Sequence, residues 1–168
     1  MNVRNIFILL DKISLGISKS LINVSSITII IWPIIMVIYV VLRYFGAAWL
    51  FVEEFTGYWL IMIIYFSIAY TLRKEGHICV DIIINYLPLK SKKVIKSITE
   101  FISLCIVIYL IIMSIDWTIY GFLSNARSSF SSNIVLWPVY LFIPVGLFAV
   151  GLELLINLLK SIDIFYNK

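Results

Sequence analysis

Charged residues punctuate this chain so sparsely that the gaps between them define its elements. Residues 20–42 form 23 consecutive positions without a charge, residues 55–72 form 18, and residues 128–152 form 25. A bilayer hydrocarbon core about 30 Å thick is crossed by a helix of about 20 predominantly apolar residues, so each run predicts a spanning helix. A fourth run, residues 101–115, has only 15 uncharged positions, about 22 Å of helix, and must recruit its flanks. Extended over 97–120, it would carry Glu100 in its first turn, where the partial positive charge of a helix N-terminus favours an anion, and Asp116 near the opposite interface. The pattern predicts an all-α integral membrane protein with transmembrane helices over 20–42, 52–72, 97–120 and 134–158.

Two shorter segments are amphipathic. In residues 1–19, Ile6, Leu9, Leu10, Ile13 and Ile17 recur at helical spacing while Arg4, Asp11, Lys12 and Ser18 take other faces, which predicts an N-terminal interfacial helix on the inner leaflet. In residues 76–88, between the second and third spans, His77, Asp81 and Asn85 stand at i, i+4 and i+8 and would align as one polar stripe amid isoleucines. The 11 residues from His77 to Leu87 would reach only about 17 Å, too short to cross, so an in-plane arm helix is predicted. Gly76 supplies its bend and Pro88 its end. Lys90, Lys92, Lys93 and Lys96 follow, suited to the anionic lipids of the inner surface.

Composition sharpens this picture. Of 168 residues, 62% are hydrophobic and 13% charged, with a mean hydropathy of +1.08; a soluble domain of this size could not bury so much apolar surface. Arg4, Lys12, Lys19, Arg73, Lys74, Lys90, Lys92, Lys93, Lys96, Lys160 and Lys168 share one side of a four-span topology, leaving only Arg43 and Arg127 of the 13 basic residues opposite. Because cations are retained on the cytoplasmic side, both termini are expected to be cytoplasmic. The net charge of +4 reflects that topology rather than a nucleic-acid partner. The first apolar run is too long for a signal-peptide core, and no small-residue cleavage site closes it. Cys79 and Cys105 form no CxxC pair, which removes the thiol-redox class.

Candidate chemistry is scarce. His77 is the sole histidine, so neither a bis-imidazole haem nor a metal site of usable spacing can be built, and no nucleophile elbow, phosphate loop or dinucleotide fingerprint is present. No enzyme activity and no cofactor are expected. Glu53, Glu54, Asp116 and Glu153 are expected at or near interfaces, as helix-end charges or as partners of Arg43 or Arg127, with the helix middles empty of acid, base and histidine. Tyr44, Trp49, Tyr58, Trp59, Trp117, Tyr120, Phe130, Trp137 and Tyr140 flank the two outer loops as an interfacial aromatic belt.

The order Trp49-Leu-Phe-Val-Glu-Glu54, then Arg73-Lys-Glu-Gly-His-Ile-Cys-Val-Asp81, then Leu87-Pro88 resembles the small membrane subunit, of DctQ type, of the tripartite ATP-independent periplasmic (TRAP) transporters. Trp137-Pro-Val-Tyr-Leu-Phe-Ile-Pro-Val-Gly146 is similar to that family's Trp, Tyr and Ile-Pro-x-Gly pattern, although here Pro138 follows the tryptophan instead of preceding it. The resemblance implies a bacterial inner-membrane subunit that binds a large DctM-type membrane subunit. That partner moves an organic acid, delivered by a periplasmic substrate-binding protein, in a sodium-driven elevator motion. Substrate and sodium would be held by the partner, and this chain would be a non-catalytic scaffold in contact with lipid. Carried over by residue, Glu53 and Glu54 would pair with the large subunit or with Arg43. Arg73, His77 and Asp81 would fix the turn into the arm and Pro88 would end it, while Trp137, Pro144 and Gly146 would shape the fourth helix. The competing reading is a free-standing, oligomeric four-helix transporter or channel. That class needs a membrane-embedded carboxylate, which residues 20–42 lack.

Overall fold

The computed structural model describes residues 3–46, 50–75, 89–128 and 133–166. They form α1 (Val3–Tyr44), α2 (Leu50–Glu75), α3 (Leu89–Leu123), the short α4 (Trp137–Tyr140) and α5 (Phe142–Tyr166). Among the described residues four stretches are long and apolar enough to cross a membrane: Ile8–Tyr44, Phe51–Lys74, Val94–Leu123 and Trp137–Lys160. The last runs through α4 into α5. Leu141 between them keeps helical dihedrals (φ −62°, ψ −25°) and donates its N–H to the Trp137 carbonyl. The ladder lapses there because Pro144 has no N–H to give the Tyr140 carbonyl. Pro138 falls in the first turn of α4, the one place where a helix does not need that donor.

Helix α5 is the axis of the molecule. Half of its most apolar stretch is buried, against 11% for α1 and for α3. It packs on α2 and α3, and α1 packs on α2 with a lighter contact to α5. α2 and α5 run parallel, and α1 and α3 run against them. A core of Ala69, Ala149, Val150 and Leu154 is closed by Ile17, Leu21, Leu72, Leu104 and Val107, so all four long helices converge on it. Small residues set this closeness, as they do where helices associate in lipid without a hydrophobic drive. A Cβ on Gly146 would stand 2.7 Å from the Tyr65 carbonyl carbon. The outward face of α1 is aliphatic, with Ile30 and Val37 exposed, whereas that of α3 mixes Ile102 and Ile112 with Phe101, Tyr109 and Trp117.

The N-terminal segment departs from expectation. It is helical, but it is no separate interfacial helix: α1 is continuous for 42 residues, about 63 Å, with no break near residue 20. Ser14 and Ser18 on its polar face are buried, at 1% and 0% exposure, while Leu9 and Ile13 on the apolar face stay exposed. The serines of the polar stripe pack against the bundle together with Ile17, while Leu9 and Ile13 face outward.

Glu100 also departs. It lies a full three turns inside α3, which begins at Leu89, and is buried at 1% exposure, so the helix N-terminus plays no part in holding it. The C-terminus of α3 closes in a Schellman motif: Asn125 takes the left-handed conformation (φ 48°), its N–H bonds the Phe122 carbonyl, and the Ala126 N–H bonds that of Gly121. The polar loop then folds back on itself, with Ser128 N–H on the Ile134 carbonyl and Leu136 N–H on that of Ala126. The predicted arm over 76–88, with His77, Asp81 and Pro88, lies outside the described residues, as does Trp49.

Candidate functional site

The densest polar constellation among the described residues is a clasp at the end of the bundle where α1 begins and α2 and α5 finish. On α1, Asp11, Ser14, Ser18 and Ser25 stand at i, i+3, i+7 and i+14, one stripe along the helix. On α5, Glu153 and Lys160 are seven residues apart and so share a face. From the last turn of α2, Arg73 reaches between them.

Arg73 forks across two carboxylates. Its Nη1 lies 3.0 Å from Oε1 and 3.1 Å from Oε2 of Glu153, and its Nη2 lies 2.9 Å from Asp11 Oδ1. Lys160 Nζ reaches the same Asp11 oxygen at 3.0 Å. The Ser18 hydroxyl donates to Glu153 Oε1 at 2.7 Å. Glu153 is only 1% exposed. Two acids and two bases leave the group neutral, which is the condition for holding charges away from water. The planar guanidinium suits this role because it can bond two carboxylates at once. Ser14, buried beside these residues, forms no hydrogen bond with any described residue. Further along α1, the Ser25 hydroxyl reaches the Ile63 carbonyl of α2.

The opposite end holds a lighter pair. Arg43 at the end of α1 binds Glu53 at the start of α2, and the Tyr39 hydroxyl donates to the same Glu53 oxygen at 2.8 Å. Glu54 accepts from the Tyr58 hydroxyl one turn along α2. Arg43 and Glu53 are 61% and 45% exposed in their side chains, so water screens the pair. Arg43→Ala is expected to shift unfolding by no more than about 1 kcal/mol, as a thermal melt of the purified chain in detergent would read. Between the two ends, Trp32 donates to Thr56 Oγ1 at 3.1 Å and its ring lies 5.6 Å from that of Trp59. This joins α1 to α2 one turn along α2 from Glu53.

Several sequence-derived assignments change. Glu53 meets Arg43, but Glu153 pairs with neither Arg43 nor Arg127. Its partner is Arg73, and it is buried between helices. The helices are therefore not free of buried charge. Arg73, read as a turn-fixing residue, ties α1 to α5. Trp137 opens α4 and stacks edge-on against Phe122 of α3 with ring centroids 5.6 Å apart. Pro144 lies in the first turn of α5, and Gly146 lets α2 approach. His77, Asp81 and Pro88 lie outside the described residues. Asp11, Ser18, Glu153 and Lys160 were missed as a unit, although the heptad spacing of each pair was visible. No group of three or more metal-ligating residues occurs among the described residues.

Residues 33–163 match the family model described as "Tripartite ATP-independent periplasmic transporters, DctQ component". The chain belongs to the DctQ family. Comparison with curated proteins and with solved structures returns no match. DctQ proteins are transporter components and not enzymes, in keeping with a clasp that offers structure and no reactive group. Arg73, Glu153 and Lys160 of this DctQ chain fall within the matched segment, whereas Asp11, Ser14 and Ser18 precede it.

Proposed function

We propose that this DctQ chain is the non-catalytic frame of a TRAP transporter, braced against a large DctM-type subunit that carries an organic acid by a sodium-driven elevator motion. A periplasmic binding protein supplies the cargo, and sodium and substrate are held by the large subunit. The clasp end faces the cytoplasm of a bacterium, as the distribution of the 13 basic residues favours, so both termini are cytoplasmic.

The observation that carries the reading is the internal neutrality of the clasp. A residue that relays ions must change its charge or its partner during the cycle. Glu153 instead is saturated by Arg73 and Ser18, and Asp11 by Arg73 and Lys160. Such a network fixes three helices relative to one another, which a scaffold requires and a moving gate does not.

Proteoliposomes test this directly. Chain, large subunit and binding protein together, under an inward sodium gradient, are expected to accumulate the organic acid; omitting this chain should reduce uptake at least tenfold, and the chain alone should move nothing. Ion-coupled solute flux through the chain alone would overturn the proposal in favour of a free-standing transporter.

A further inference from the structure

The face of α1 turned away from the clasp is cationic at one end and aliphatic along the rest. Lys12, Gly16, Lys19 and Asn23 stand at i, i+4, i+7 and i+11, and the same line continues through Ile27, Ile30, Ile34 and Val37. Every one of these positions is exposed, and a single unbroken helix carries them all. Lys19 borders the 23 uncharged positions of residues 20–42, the length that crosses a hydrocarbon core. The change from cation to aliphatic side chain along this line is therefore a change from headgroup to acyl tail.

Two features single out the cationic end. The lysines are surplus: the clasp is neutral without them, and among the described residues no carboxylate pairs with either. Gly16, between them, has no packing or turn role within the chain. It lies inside a helix, where glycine is a poorer former than alanine, yet a Cβ there would meet nothing described within 4 Å and its backbone is not left-handed. Its missing side chain leaves a notch on the outer surface. Lys19 leans across that notch toward Lys12, because helical side chains tilt toward the N-terminus and a long lysine stem lifts its ammonium toward the headgroups.

We propose that Lys12, Gly16 and Lys19 form a binding site for the phosphate of an anionic phospholipid, whose acyl chains lie along Ile27, Ile30 and Ile34. Two unpaired ammoniums match a phosphate as point charges, and the aliphatic line beyond them matches hydrocarbon joined to it. An anionic phospholipid supplies both in one molecule. A zwitterionic one brings its own cation to the lysines, and a soluble anion leaves the aliphatic line unused. The site needs only a bilayer and stands apart from the transporter reading.

Native mass spectrometry of the full chain in neutral detergent, titrated with phosphatidylglycerol or phosphatidylcholine, tests it. Each lysine is expected to favour the anionic headgroup about fivefold, so the wild type should bind phosphatidylglycerol about 25-fold more tightly than phosphatidylcholine. Lys12→Gln and Lys19→Gln should each lower that preference about fivefold. Gly16→Leu should weaken phosphatidylglycerol binding by filling the notch with the charge unchanged, and Lys96→Gln, at an exposed lysine of α3, should leave it intact. All four variants should keep wild-type helicity, since these side chains are exposed. Equal binding of the two lipids, a loss in Lys96→Gln as large as in Lys19→Gln, or wild-type binding by Gly16→Leu would overturn the site and leave a diffuse positive surface. Displacement of phosphatidylglycerol by inorganic phosphate at equal concentration would also overturn it, by showing a phosphate site that takes no lipid tail.

Discussion

Glu153→Ala is expected to destabilise the isolated chain by about 3–5 kcal/mol, because breaking a buried ion pair by removing one partner leaves the other charge uncompensated. Without Glu153 the Arg73 guanidinium would keep only Asp11, whose charge is already shared with Lys160, and the Ser18 hydroxyl would lose its acceptor. Arg73→Met should be comparably damaging, since it strands Glu153 at 1% exposure. The double variant Arg73→Met with Glu153→Leu should be milder than either single change. It removes both charges at once and leaves Asp11 and Lys160 as a neutral pair. Unfolding by heat or by titrated denaturing detergent, followed by helicity, reads all three. Single-variant costs that simply added in the double variant would mean that the residues act independently, and the clasp would lose its standing as a unit.

The clasp is the part of the bundle least visible in the sequence. The spanning helices were legible because lipid demands long uncharged runs, and such runs are visible one residue at a time. Helical spacing separated the two faces of residues 1–19 but could not say which face packs. In water the apolar face turns inward. Beside a bilayer the apolar face can meet lipid while Ser14 and Ser18 turn in, as they do here. The heptad spacings Asp11 to Ser18 and Glu153 to Lys160 are visible in the sequence, but the residue that joins them, Arg73, is 80 positions from Glu153, and no local periodicity reports a partner at that distance. Glu100 was misplaced for a simpler reason. The lysine-rich stretch ahead of the third span reads as a connection, yet the helix already begins at Leu89.

Gly146→Ala is the second large effect expected, and it separates packing from charge. The added methyl would stand 2.7 Å from the carbonyl carbon and the Cβ of Tyr65, and a backbone carbonyl cannot swing aside as a side-chain tip can. α2 and α5 would have to part, at about 1–3 kcal/mol for such overpacking, and Gly146→Leu should cost more. Gly151→Ala on the same helix is the control. Its methyl would meet Ile111 and Val107 at 3.6 Å, an ordinary contact, and replacing helical glycine by alanine is worth up to about 1 kcal/mol, so that variant should melt at or above the wild type. The two constraints on α2 and α5 are spaced alike: Tyr65 to Arg73 is eight residues and Gly146 to Glu153 seven along parallel helices. Forcing the helices apart at Gly146 would therefore draw the guanidinium from its carboxylate. Glu153→Ala should accordingly cost less in a Gly146→Ala background than in the wild type. If Gly146→Ala proved as harmless as Gly151→Ala, the close approach of α2 and α5 would not be what holds the clasp in register.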